Sequence, residues 1–136
     1  MDERIVKFLK KMHLASVCTI DDDGQPYAFS AFYALDELNF SLLLASSDES
    51  SHIKFLKNSK LVAGTVALDT KIVGKIEGVQ FRALAAPATA QQRKIYFARF
   101  PYALAMNPSL YSLSLGWVKF THNSLGFGKK IIWQRD

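Results

Sequence analysis

The chain has few cysteines, glycines and prolines. Its 136 residues include one cysteine, Cys18, together with seven glycines and four prolines. A single cysteine cannot form an internal disulfide, which excludes a disulfide-stabilised secreted scaffold and is compatible with a reducing compartment. The low glycine and proline content, with 49% apolar and 21% charged residues, excludes collagen and an intrinsically disordered chain. We therefore expect one globular domain over residues 1–136, located in the cytoplasm.

Sequence signals for membrane insertion, metal binding and serine hydrolysis are also missing. The chain has no run of about 18 apolar residues, and residues 1–4 do not begin a signal peptide. The histidines at positions 13, 52 and 122 form no HExxH motif, and the chain has only one cysteine. The GxSxG motif is absent, although a triad assembled by tertiary contacts stays open. We predict neither a membrane partner nor a protein-ligated metal.

Charge is distributed unevenly along the chain. The net charge is +5, but residues 1–70 carry seven basic and ten acidic side chains, whereas residues 71–136 carry ten basic and two acidic ones. This asymmetry indicates an anionic partner, unless the lysines merely keep the surface soluble. Charge alone does not distinguish a nucleic acid from a small phosphate ligand. Because the lysines are dispersed and arginine is scarce, a nucleic acid is the less favoured partner.

The apolar pattern predicts seven strands and three helices. Helical spacing is found at residues 2–12, with Asp2 as the cap, at 52–58 and at 89–106, where Pro101 must break or kink the helix. The predicted strands cover residues 14–20, 27–35, 40–45, 61–68, 72–84, 110–121 and 129–134. Short turns favour antiparallel pairing, and a small antiparallel sheet removes its exposed edges by closing. The predicted fold is therefore mainly β, an antiparallel barrel with peripheral helices.

Residues 46–54 form one candidate anion site. Hydroxyl groups, a histidine and a lysine cluster there, directly after a strand and at the start of a helix. Free amides and the helix dipole favour an anion at that position. We expect Ser50 or Ser51 to accept backbone N–H bonds at the helix start. The alternative is a solvated loop with a capping serine.

Residues 119–133 form a second candidate. Paired lysines and glycines lie next to Phe127 and Trp133, a mixture that can bind an anionic aromatic molecule by charge and stacking. The glycines do not form a Walker motif, because Asn123 and Lys130 stand where glycine and serine or threonine are required. The alternative is an edge strand packed by its aromatic residues, with the lysines in water.

These residues together resemble a known family. The segments that carry the likeness are Gly78-Val79-Gln80-Phe81, Arg93-Lys94, Arg99-Phe100-Pro101, Lys119-Phe120-Thr121, Asn123, Leu125-Gly126-Phe127-Gly128-Lys129-Lys130 and Ile132-Trp133. They resemble the small bacterial YhbP-like proteins of the pyridoxamine 5'-phosphate oxidase-like group. The resemblance covers nearly the whole chain and is most specific in its last third. It implies an FMN-binding split β-barrel that forms a homodimer with the cofactor at the subunit interface.

The resemblance also implies a set of cofactor-binding residues. In this group the phosphate lies near the loop and helix after the third strand, which implies that it meets Ser46, Ser47, Ser51, His52 and Lys54. The next strand, at Ala63, Gly64 and Thr65, would approach the isoalloxazine ring. Lys129, Lys130 and Trp133 would reach across from the partner subunit. Oxidases of the group tend to have an Arg-Lys pair where Ser51 and His52 stand, which implies a weaker cationic clamp here.

The implied function is flavin-dependent oxidoreduction of an unknown small-molecule substrate with a reduced nicotinamide donor. A flavin brings its own electron chemistry, so a protein that binds one needs no separate catalytic constellation. No catalytic residue is assigned for this reason. The alternative is a non-catalytic protein that carries flavin or haem, and the sequence leaves both functions open.

Overall fold

The computed structural model describes residues 1–123 and 129–136. Residues 125–128, which carry part of the family resemblance, lie outside the described residues. The α-helices are α1 (Glu3–Lys11), α2 (Ser51–Asn58) and α3 (Ala90–Arg99), and short 3-10 helices cover Val73–Lys75 and Pro101–Met106. The strands are β1 (Leu14–Ile20), β2 (Pro26–Asp36), β3 (Ser41–Ser46), β4 (Leu61–Ala67), β5 (Glu77–Pro87), β6 (Ser109–His122) and β7 (Lys130–Gln134).

Six strands close into an antiparallel barrel. Their order is β3-β2-β1-β4-β5-β6, and β3 pairs with β6 to complete the circle. β6 is long enough to pair with β3 through its first half and with β7 through its second half, at Trp117 to Thr121. The predicted fold, mainly β with an antiparallel barrel and peripheral helices, is confirmed.

Alternating side chains separate the barrel interior from its outer face. On β1, Ala15, Val17 and Thr19 are buried, while Leu14, Ser16 and Ile20 are exposed. β4 and β5 follow the same period of two residues. The buried set forms one large apolar cluster inside the barrel. The opposite sides of β2, β1, β4 and β5 form a continuous surface, which we call the outer face.

The helices lie at the barrel's periphery, and their ends follow local sequence signals. Asp2 caps α1 by accepting the Arg4 amide at 2.8 Å, as predicted. α1 buries Ile5, Phe8 and Leu9 in the barrel cluster. The predicted helix over 89–106 is divided, because α3 ends at Arg99 and Pro101 opens a 3-10 helix.

The strand predicted over residues 72–84 begins too early. Residues 72–76 are exposed, and Val73–Lys75 form a 3-10 turn. The last pair of the β4–β5 ladder joins Ala67 to Gly78. Among residues 1–123 and 129–136, no strand pairs with residues 72–76, and apolar composition alone does not make them extended. The same strand continues past its predicted end to Pro87.

Arg99 connects α3 to the end of α1. Its guanidinium donates to the carbonyl oxygens of Met12 at 2.6 Å, Tyr33 at 3.0 Å and Lys10 at 3.4 Å. Two of these carbonyls belong to the end of α1, where the backbone acceptors of a helix lack partners within the helix. Arg99 thus fixes the carboxyl end of α1 to β2 and α3.

Replacing Arg99 with alanine is expected to lower the free energy of unfolding by about 3 kcal/mol, because hydrogen bonds to a charged donor contribute about 1.5–3 kcal/mol each. Arg93→Ala is the matched control on the same helix. Arg93 stacks on Phe97 at 5.4 Å, which contributes about 1 kcal/mol or less. Urea unfolding followed by circular dichroism compares the two variants, and equal losses would contradict this role for Arg99.

No helix within residues 1–123 and 129–136 is long and apolar enough to cross a membrane.

Candidate functional site

A hydrogen-bonded hydroxyl cluster lies where β3 ends and α2 begins. Ser46 is the last residue of β3, and α2 starts at Ser51. The Oγ of Ser46 lies 2.6 Å from Nε2 of His52 and 3.3 Å from Oγ of Ser50. The structure therefore brings together Ser46 and His52, two of the residues expected to contact a phosphate.

The first turn of α2 has no side-chain cap. Ser50 occupies the N-cap position, but its hydroxyl accepts no backbone N–H and instead receives a hydrogen bond from Ser46. The expectation was that Ser50 or Ser51 accepts backbone N–H bonds at the helix start, and it is wrong for Ser50, the N-cap residue. Since no side chain in the described part of the chain bonds the first-turn amides, the amino end of α2 keeps the polarity that favours an anion.

The imidazole of His52 is packed rather than solvated. Its ring stacks on Phe29, with 3.9 Å between ring centroids and 10° between ring planes. Burial lowers the pKa of His52 below its ordinary value, because a low-dielectric environment disfavours the charged form. His52 is therefore neutral at neutral pH. Without an anion bound, His52 adds no positive charge, and the site relies on hydroxyls, helix amides and Lys54 for its positive potential.

The remaining residues of the expected phosphate site are accessible. Ser47, Ser51 and Lys54 are exposed, and Ser47 accepts the amide of Glu49 at 3.3 Å. The carboxylate of Asp48 accepts a hydrogen bond from the Ser109 hydroxyl at the start of β6. This contact holds the Asp48 carboxylate at the start of β6, next to the strand partner of Ser46, so its negative charge opposes an anion at the hydroxyl cluster.

The residues expected near a cofactor ring lie on both sides of β4, because successive side chains of a strand point to opposite faces. Ala63 and Thr65 are exposed on the outer face, where they pair with Cys18 and Ser16 of β1. Gly64 faces the interior, where a side chain would collide with Phe81. The outer face therefore contributes Ala63 and Thr65, while Gly64 has a structural role.

Small side chains make the centre of the outer face shallow, and larger ones border it. Ser16, Cys18, Ala63 and Thr65 form the centre. The Leu14 and Phe32 pair borders one end, with 46% and 53% exposure, and the Leu61 and Leu84 pair borders the other, with 66% and 55% exposure. An open pocket of about 360 Å³ includes Ser16 and Thr65. This volume is within the range of small-molecule sites.

The carboxyl-terminal candidates lie far from the hydroxyl cluster within one chain. Lys129 and Lys130 are exposed, while Trp133 is half-buried with its ring 5.2 Å from that of Phe40. Trp133 pairs with Val118, whereas Ser46 pairs with Ser109. These partners are nine residues apart on β6, or about 30 Å of strand. The described contacts of one chain do not bring the two groups together.

Phe29 is a site residue that the sequence reasoning missed. It lies on β2, packs against the barrel cluster and stacks on His52. The period of two along β2 is a signal that Phe29 and Ala31 face one side together. No sequence signal indicates that α2 folds back over this side.

Within residues 1–123 and 129–136, no group of three histidine, cysteine, aspartate or glutamate side chains could hold a metal ion.

The low pKa of His52 makes a pH-dependent stability contribution. The unfolded chain binds a proton at this residue near pH 6.5, whereas the folded chain resists it. The contribution of His52 to the free energy of unfolding is therefore fully present above pH 6.5. It is lost as the pH decreases toward the folded-state pKa. We expect the urea midpoint of the wild type to fall more between pH 7.5 and 5.5 than that of His52→Gln. Parallel pH profiles for the two proteins would contradict this role.

Curated relatives match almost the entire chain. A UPF0306 protein of Campylobacter jejuni is 41% identical over 132 residues, which are 96% of this chain and 96% of the relative. This chain belongs to the UPF0306 family. The UPF0306 protein YhbP of Salmonella paratyphi A is 37% identical over 136 residues, covering 97% of this chain and 92% of YhbP. These UPF0306 relatives confirm the resemblance to YhbP-like proteins. No family model matches the chain.

Solved structures share the fold of this UPF0306 chain at low identity. A haem-binding protein from Mycobacterium smegmatis gives a TM-score of 0.75 at 16% identity, over 90% of this chain and 53% of that protein. An FAD-binding protein from Mesorhizobium loti gives 0.71 at 15% identity, over 87% and 91% of the two chains. At these identities the likeness supports the barrel fold alone.

Proposed function

We propose that this UPF0306 protein is an FMN-binding homodimer that acts as a flavin-dependent oxidoreductase with a reduced nicotinamide donor. The observation that carries the proposal is the combination of two features in one barrel. One is the uncapped amino end of α2 with its hydroxyl cluster. The other is the shallow outer face around Ser16, Ala63 and Thr65.

The hydroxyl cluster fits a phosphate. Ser46, Ser51 and His52 would hold the phosphate oxygens together with the first-turn amides of α2, because such amides and hydroxyls donate to anionic oxygens. His52 can take up a proton when a dianion binds, since a nearby negative charge raises a histidine pKa. Lys54 adds a positive charge on the exposed side of the same helix.

The outer face fits a flat ring and a second chain. A flat aromatic system can lie over Ala63 and Thr65 because these side chains are short. Large exposed apolar pairs border the centre, and apolar surface of this kind on a soluble protein is typical of an interaction site. A second copy would cover Leu14, Phe32, Leu61 and Leu84 and leave a slot over the small residues.

A homodimer also accounts for the carboxyl-terminal residues. Along the strands of one chain, Trp133 is about 30 Å and Lys130 about 40 Å from Ser46. We propose that these residues of one protomer approach the slot of its partner. When bound, the flavin supplies the electron transfer, while the protein binds and orients it and excludes water from the ring.

A titration with FMN and riboflavin tests the cofactor. Quenching of flavin fluorescence reports binding of either compound. We expect the affinity for FMN to be at least about tenfold higher than that for riboflavin, because one or two charge-assisted hydrogen bonds to the phosphate contribute about 1.4 kcal/mol or more. Equal affinities would contradict the phosphate site. If neither compound binds, the flavin proposal fails altogether.

The second candidate function is non-catalytic carriage of flavin or haem. It is favoured by the neutral, half-buried His52, which replaces a permanent cation in the phosphate site, and by a fold neighbour that is a haem-binding protein. Anaerobic addition of NADH or NADPH to the FMN-loaded protein separates the two functions. Bleaching of the flavin spectrum supports an enzyme, whereas an unchanged spectrum supports a carrier.

A further inference from the structure

We propose that a cleft between α1 and one end of the barrel binds the phosphate group of a small molecule. The cleft has a volume of about 290 Å³. Its polar walls are formed by Arg4, Lys7, Lys11, Glu77 and His122, which come from α1, β5 and β6. Its floor is formed by Phe8 and Phe120, whose rings pack with 5.3 Å between centroids. We call this site the α1 cleft.

Three cations form one row along α1. Arg4, Lys7 and Lys11 are separated by three and four residues, so their side chains lie on the same face of the helix. Like charges at this spacing destabilise a helix by about 0.2–0.5 kcal/mol per pair. The row is therefore unfavourable by itself and becomes favourable when an anion binds beside it.

The negative charge in the α1 cleft does not balance this row. Glu77, whose side chain is 14% exposed, lies 3.7 Å from Nζ of Lys11 and 3.4 Å from Nε2 of His122. Arg4 pairs with Asp2 at 3.0 Å. Within residues 1–123 and 129–136, Lys7 has no ion pair. The α1 cleft thus keeps an excess of positive charge.

The shape of the α1 cleft favours a small anion. Phe8 and Phe120 are 2% and 3% exposed, so their rings are occupied with each other and with the core and offer no stacking surface. A volume of about 290 Å³ is at the lower end of small-molecule sites. Recognition therefore depends on charge, and a phosphate group satisfies two lysines and an arginine at once.

The α1 cleft is separate from the hydroxyl cluster. His122 is the last residue of β6, while Ser109, which pairs with Ser46, is the first. The two residues are separated by about 40 Å of strand. The two sites can therefore be altered independently, and a result at one does not decide the other.

Calorimetric titration with pyrophosphate at low ionic strength tests the proposal. We expect saturable binding that Lys7→Gln weakens about tenfold, which corresponds to about 1.4 kcal/mol. Lys10→Gln is the matched control, because Lys10 does not line the α1 cleft and pairs with Glu37 at 3.3 Å. Its affinity for pyrophosphate should remain within about twofold of wild type. Absence of pyrophosphate binding, or equal effects of the two variants, would overturn the soluble-ligand form of the proposal.

Two further experiments identify the source of the phosphate group and distinguish the α1 cleft from the proposed flavin site. Binding to phosphatidylglycerol vesicles that Lys7→Gln weakens and Lys10→Gln does not would indicate a lipid headgroup instead of a soluble compound. If neither pyrophosphate nor vesicles bind in a Lys7-dependent manner, the α1 cleft proposal is wrong. Lys7→Gln should keep its FMN affinity, and His52→Ala should keep the Lys7-dependent part of its pyrophosphate binding. Loss of pyrophosphate binding in His52→Ala alone would place the ion at α2 and refute the cleft.

Discussion

Replacing Gly64 with alanine is expected to destabilise the folded protein strongly. A β-carbon at this position would overlap the carbonyl oxygen of Ser16 and stand 2.5 Å from Cζ of Phe81. The carbonyl belongs to the neighbouring strand β1, and Phe81 is only 2% exposed in the core. Neither group can move without separating β1 from β4 or displacing the core. We expect a loss of about 3 kcal/mol or more in the free energy of unfolding.

Gly74→Ala is the control for this substitution. A β-carbon at Gly74 meets no atom within 4 Å, so its effect should be within about 0.5 kcal/mol. The double variant Gly64→Ala with Phe81→Leu should recover only part of the loss, since the Ser16 carbonyl still blocks the methyl group. Thermal unfolding compares the variants. A Gly64→Ala protein as stable as Gly74→Ala would contradict the close packing of β1, β4 and β5.

Replacing Thr65 with tryptophan is expected to abolish flavin binding while the barrel remains folded. Thr65 is exposed on the outer face, so a larger side chain needs no space in the core. An indole would fill the shallow centre that we propose for the isoalloxazine ring. We expect FMN affinity to fall by about 100-fold or more, because the ring would lose its contact surface. Fluorescence titration measures the affinity, and circular dichroism checks the fold.

Lys94→Trp provides the matched control for the tryptophan substitution. Lys94 is exposed on α3, which takes no part in the proposed slot, so its FMN affinity should equal that of wild type. If Thr65→Trp also binds FMN like wild type, the ring does not lie on this part of the outer face.

Much of the fold could be predicted because local signals agree with tertiary structure. The period of two along β1 and β4 gives both the strands and the buried side chains. Pro101 marks the end of α3. Residues 72–76 mislead because their composition suits a strand, while the absence of a partner strand decides their conformation. Strand length depends on such pairing, which no local pattern contains.

The candidate site could be predicted only in part. The serines and the helix start after β3 were visible as a polar segment next to a strand. The stacking of His52 on Phe29 was not, because it depends on how α2 folds over β2. The α1 cleft could not be predicted either. Lys11, Glu77 and His122 belong to three segments that are distant in the sequence, and both Lys11 and His122 contact Glu77. Contacts of this kind appear only when the barrel closes.

The central claim is that two copies of this chain enclose FMN between their outer faces, and sedimentation equilibrium of the FMN-loaded protein tests it most directly. Detection at a flavin absorption wavelength follows only species that carry the cofactor. The account predicts that flavin sediments with a species of twice the 15.3 kDa chain mass. It also predicts that Thr65→Trp leaves the flavin free. Flavin that sediments with single chains, or that remains unbound with the wild-type protein, would contradict it.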